Sequence, residues 1–184
     1  MKNTLGIVLH VSASSFGDAA QIDRWHRERG FSRIGYHWVV LNGLRRPGSY
    51  DPALDGQIEN GREEHQIGAH CLADGANGFT LGVCLIGNPG WTVDGPEYLT
   101  PGNWLSGRVV NRAYMTRKQH SALVELLAGI CKRRGLDPMG TYRHPRTGRP
   151  IHVISQHSDF DSGKPLCASI NLGILRKQVR EAMK

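Results

Sequence analysis

Two short, unbroken apolar runs constrain this chain more than any other feature. Leu5–Val11 and Phe79–Ile86 are aliphatic and β-branched. Both are too brief for a membrane span and lack helical periodicity, so each reads as a buried strand. Between and after them the pattern changes to a helical period. Ile22, Trp25 and His26 recur at helical spacing in Ala19–Arg29, behind a helix-capping Asp18 and ahead of Gly30 as a stop. Thr116–Arg134 puts Leu123, Leu126, Leu127 and Ile130 on one face, and Asn171–Met183 forms a terminal helix with a basic outer side.

Arg33–Leu41 reads as a second strand ended by an Asn42-Gly43 turn, with Gln57–Arg62 as its pairing partner and Ile151–Ile154 as a last short strand. Gly90–Arg112 has no steady period and reads as a long surface loop over a groove. Strands alternate with helices, which predicts an α/β (mixed) fold: a central mixed sheet flanked by helices. No repeat or linker divides the 184 residues, so residues 1–184 are read as one domain.

Twenty-three Lys and Arg against 16 Asp and Glu give a net charge of +7, which suits a polyanionic partner, either nucleic acid or a cell-wall polymer. A nucleic-acid binder would need a helix-turn-helix, a finger or an aromatic platform beside the basic residues, and none is found. Met1–His10 has one lysine and too short an apolar core for a signal peptide, so it reads as the first strand. Of the four cysteines, Cys84 and Cys131 lie in strand-like and helix-like runs and read as buried thiols. Cys167 stands apart, among polar and turn-forming residues.

A catalytic zinc usually keeps three protein ligands and one open position. His10 at the end of the first strand, His157 just after the last, and Cys167 beyond a turn-rich loop form the best candidate set, expected at one edge of the sheet. Spacing alone leaves other readings open: a polar strand end for His10, a small buried hydrophobe for Cys167, and His144 and His152 as substitute ligands.

A resemblance narrows them. Ile7-Val8-Leu9-His10, Arg33-Ile34-Gly35-Tyr36-His37-Trp38-Val39-Val40, Gly68-Ala69-His70, Gly78–Gly87, and Gln156-His157-Ser158-Asp159-Phe160-Asp161 leading to Lys164 and Cys167 occur in that order. Together they resemble the type 2 N-acetylmuramoyl-L-alanine amidases, which include phage lysozyme-type amidases and peptidoglycan recognition proteins. The resemblance implies one Zn²⁺ per chain on His10, His157 and Cys167. Tyr36 would stand beside the zinc's open position, Lys164 would be a catalytic cation, and His70 would lie near the substrate groove. Lys164 stands three positions before Cys167 where the commonest pattern has two.

The implied partner is bacterial peptidoglycan or its fragments; no partner protein is implied by any residue. The implied setting is a phage or prophage endolysin made in the cytoplasm and acting on the wall after release, or a cytoplasmic recycling enzyme. The alternative is a non-catalytic peptidoglycan-binding module on the same fold, a group that typically lacks the cysteine ligand.

Overall fold

The computed structural model describes residues 3–87, 91–92, 95–96 and 115–184. Most of the expected Gly90–Arg112 loop lies outside the described residues. Strand β1 (Gly6–Val11) is followed by helix α1 (Ala19–Glu28), β2 (Trp38–Arg46), β3 (Ser49–Asn60), a 3₁₀ turn at Ala73–Gly78 and β4 (Thr80–Leu85). Two-residue strands β5 (Trp91–Thr92) and β6 (Gly95–Pro96) pair with each other. Then come α2 (Arg117–Arg134), β7 (Thr141–Arg143), β8 (Pro150–His152), β9 (Ile154–Gln156), a 3₁₀ turn at His157–Asp159 and α3 (Leu172–Ala182). No described helix is long and apolar enough to cross a membrane.

The main sheet has the order β3-β2-β4-β1-β9, antiparallel between β2 and β3 and parallel elsewhere. β1 and β4 occupy interior positions and are buried throughout, as their unbroken apolar runs require. Side chains alternate across the sheet. Ile7, Leu9 and Val11 join Leu81, Val83 and Leu85 against Leu123, Leu127 and Ile130 of α2 and Leu175 and Val179 of α3. On the other face, Val39, Leu41 and Cys84 meet Ile22 of α1. His10 is paired with Cys84 in register, so its side chain belongs to this second face.

The helix ends follow their sequence signals. The Asp18 carboxylate accepts from Gln21 N–H at 2.7 Å, Thr116 Oγ1 accepts from Gln119 N–H at 2.9 Å, and Asn171 Oδ1 accepts from Ile174 N–H.

The second strand departs from expectation. It begins at Trp38, not Arg33, and runs through Asn42-Gly43 to Arg46, turning at Pro47-Gly48. Asn42 Oδ1 accepts from Leu44 N–H at 3.0 Å and Gly43 takes φ +83. The turn chemistry is thus satisfied inside the strand, as an irregularity in its register with β3. The expected Ile151–Ile154 strand is likewise two strands: β8 pairs with β7, whereas β9 pairs with β1.

Candidate metal centre and its cavity

Parallel α/β sheets place their sites beyond the C-terminal ends of the strands. β1 and β9 are in register from Ile7↔Ile154 to Leu9↔Gln156, so the next step sets His10 beside His157. Their rings stand 4.6 Å apart at 63°. His157 opens a 3₁₀ turn fixed by a capping box, in which Gln156 N–H donates to Asp159 Oδ2 at 3.0 Å. Asp161 shapes the return, accepting from Gly163 N–H at 2.9 Å. The loop ends with Ser158 N–H donating to the Cys167 carbonyl at 3.0 Å, which brings the thiol back to the histidines.

His10, His157 and Cys167 each offer a ligand atom, and the three atoms lie within 4.8 Å of one another. The Cys167 Sγ to His10 Nδ1 distance is 3.9 Å. Tetrahedral zinc with ordinary Zn–N and Zn–S lengths holds such a pair about 3.5 Å apart, so this pair lies within a few tenths of an ångström of the spacing it would need. Burial lowers the basicity of His10 and His157, favouring the neutral imidazoles a metal requires. Burial also raises the Cys167 thiol, opposed by the Val11 backbone donor and the Lys164 charge. Two imidazoles and one thiol gathered at one point are a donor set that suits zinc.

His157 and Cys167 line a cavity of about 800 Å³ bordered also by Tyr36, His26, Arg29 and Lys164, and His10 is buried behind them. Lys164 is exposed, and its charge acts on both His157 and Cys167, so its departure from the commonest spacing leaves it at the site. Tyr36 lies just before β2 with its ring 5.2 Å from that of His10. Burial, then the neighbouring thiols of Cys84 and Cys167, hold its phenol well above the ordinary range, so it stays protonated. The resemblance places His70 beside the substrate. In the structure it borders the cavity at 7% exposure, with its ring nitrogens engaged by His10 and the Thr80 carbonyl.

Neither substitute ligand joins the group. His144 is buried against Phe79 and accepts from Arg146 and Thr147 N–H, and His152 is exposed on β8. The sequence reading missed His26. Its Nδ1 accepts from Gly35 N–H at 2.8 Å, and its ring stacks near Tyr36 at 5.3 Å. The reading also missed the cavity's apolar lips, Leu72 (85% exposed) and Leu166 (70% exposed). Exposed leucines beside Gly- and Ser-rich turns were the available signal.

His26 carries a pH prediction. Burial lowers its pKa from 6.5 to about 4, so the unfolded chain binds a proton that the folded chain refuses. Stability is full above pH 6.5 and falls as the pH drops toward 4; at pH 5 this histidine should account for about 1–2 kcal/mol. His37 shifts in the same direction by burial. Urea midpoints at pH 7.5 and pH 5 should therefore differ. His26→Asn, whose carbonyl can still accept from Gly35, should narrow the gap; an unchanged gap would acquit His26.

The sequence profile of the N-acetylmuramoyl-L-alanine amidases matches residues 1–167. The chain belongs to that family. It is 33% identical over 89 residues to the endolysin of Escherichia phage T7, covering 47% of this chain and 50% of that one. It is 36% identical over 67 residues to the endolysin of Enterobacteria phage K11, covering 36% and 35%. The aligned part thus spans about half or less of the length of these curated relatives. Among solved structures, the amidase LysC from Clostridium intestinale aligns with TM-score 0.63 at 19% identity, over 97% of this chain and 86% of that one. Drosophila PGRP-LB aligns with TM-score 0.53 at 19% identity, over 92% and 77%. At these identities the likeness is one of fold.

Proposed function

We propose that this chain is a zinc-dependent N-acetylmuramoyl-L-alanine amidase of the endolysin type, hydrolysing the amide between the muramic acid lactyl group and L-alanine of peptidoglycan. The observation that carries the reading is the convergence of His10, His157 and Cys167 beside a cavity that also holds Tyr36 and Lys164. Held by these three residues, zinc would supply a Lewis acid and a water acidified toward neutral pH.

This chain's own residues do the rest. Lys164, exposed at the cavity edge, meets the negative charge that develops on the scissile carbonyl oxygen. The protonated Tyr36 hydroxyl donates a hydrogen bond at the reacting centre and can relay to the departing amine the proton that the attacking water gives up, ending the step protonated again. Arg29 and Lys164 give the cavity cationic points for the carboxylates of a stem peptide, and Leu72 and Leu166 give apolar edges for its methyl groups.

The test is a wall digest analysed for new chain ends. Free L-alanine amino groups are expected; new reducing sugar ends would make the enzyme a glycosidase and end this reading. Zinc binding and wall binding without any cleavage would favour the non-catalytic module. Tyr36→Phe and Lys164→Met should each lower kcat about 10- to 100-fold while keeping bound zinc. An unchanged rate in either variant removes that residue from the mechanism.

A further inference from the structure

A further histidine, His70, lies behind the metal ligand His10. His70 Nε2 lies 3.2 Å from the Thr80 carbonyl oxygen, which can only accept, so this nitrogen carries the proton. A neutral His70 then has a bare Nδ1, which lies 3.0 Å from His10 Nε2. His10 must donate there. Its own proton is thereby fixed on Nε2, and the lone pair of its Nδ1 faces Cys167 and the ion position. Among the described residues, no carboxylate takes part in the relay.

The slot around His70 is shaped for it. A Cβ on Gly82 would lie 2.4 Å from His70 Cγ, and one on Gly68 would lie 2.4 Å from His70 Cδ2. The His70 backbone N–H is anchored separately by Asn77 Oδ1 at 2.8 Å. Ring position and ring orientation are therefore set by different contacts. A histidine merely filling space would not need the Thr80 acceptor or the contact with His10.

We infer that His70 is a positioning residue of the metal centre: through the chain Thr80 carbonyl–His70–His10 it fixes the tautomer and ring angle of His10, so that Nδ1 is the ligand atom. This rests on the zinc amidase reading above. Such outer partners typically contribute 10- to 100-fold in metal affinity.

Two measurements test it. In the metal-free protein, long-range ¹H–¹⁵N NMR should show His10 protonated at Nε2 alone. A His10 protonated at Nδ1, or an even mixture of tautomers, would overturn the relay whatever the variants do. Chelator competition with zinc should then show His70→Leu about 10- to 100-fold weaker than wild type. His70→Asn, whose Oδ1 takes the place of Nδ1, should recover most of that loss. Equal zinc affinity in wild type and His70→Leu would sink the inference while leaving the zinc centre intact. Wild type that binds no zinc at all would instead sink the amidase reading. Should neither variant fold, the wild-type tautomer decides.

Discussion

Cys167→Ser should abolish zinc binding and wall hydrolysis together while leaving the fold in place. Cys167 is half-buried at the cavity, and its sulfur, as a thiolate on the metal, would be the single anionic donor of the ligand group. A serine hydroxyl has nearly the same shape but stays protonated near neutral pH, so the ion loses the charge that offsets its own. Metal content measured by atomic emission should fall from about one zinc per chain to near zero after dialysis, and hydrolysis should drop by at least about 10³-fold. Thermal unfolding offers the control. Metal-free wild type and Cys167→Ser should melt within a few degrees of each other, because the substitution removes one sulfur and no large packed group. A variant that keeps both its zinc and its rate would remove Cys167 from the centre.

Gly35→Ala should act through the backbone. A Cβ at this position would stand 2.3 Å from the Ala69 carbonyl oxygen and 2.8 Å from its carbon. The segments cannot simply part, because Ala69 N–H donates to the Gly35 carbonyl at 2.9 Å and Gly35 N–H donates to His26. One methyl group should therefore cost about 2–4 kcal/mol, at or above the upper end for overpacking. It should also move Tyr36 and His70, which adjoin the two crossing residues. The urea midpoint should fall, and activity should fall further than the unfolded fraction explains. Gly78→Ala is the comparison, since nothing lies within 4 Å of its Cβ position. Its effect should stay within about 0.5 kcal/mol. Equal midpoints for the two variants would mean that the crossing yields more easily than its distances imply.

What the sequence disclosed, and what it hid, divides along the range of the contacts involved. Leu5–Val11 and Phe79–Ile86 were legible as interior strands because burial on both faces leaves a continuous apolar run. The helices were legible because a one-sided face repeats within a few residues, as Leu123, Leu127 and Ile130 do. Asn42-Gly43 misled because its turn chemistry is satisfied within a strand by Asn42 and Leu44, a choice that depends on β3. Ile151–Ile154 misled because Val153 marks a change of partner between two sheets.

At the site, His10 could be placed from its strand, but spacing alone could not decide what Cys167 faces. Its neighbours in space come from β1 and the turn after β9, and the family resemblance supplied what local pattern lacked. His26 and the His70 relay stayed hidden for the same reason. Their hydrogen bonds reach Gly35, His10 and Thr80, and an isolated histidine carries no mark of such partners.

The meeting of His10 with Cys167 spans 157 positions of the chain. An ion bound there would act as a clasp between the opening strand and the closing loop, gathering almost everything between into one ring. During synthesis that clasp cannot shut until Cys167 has emerged, so a polypeptide stopped before it would be unarmed. A cut between His10 and His157 would open the ring while leaving all three ligand side chains intact. Retention of the ion would then report whether the two pieces still hold together.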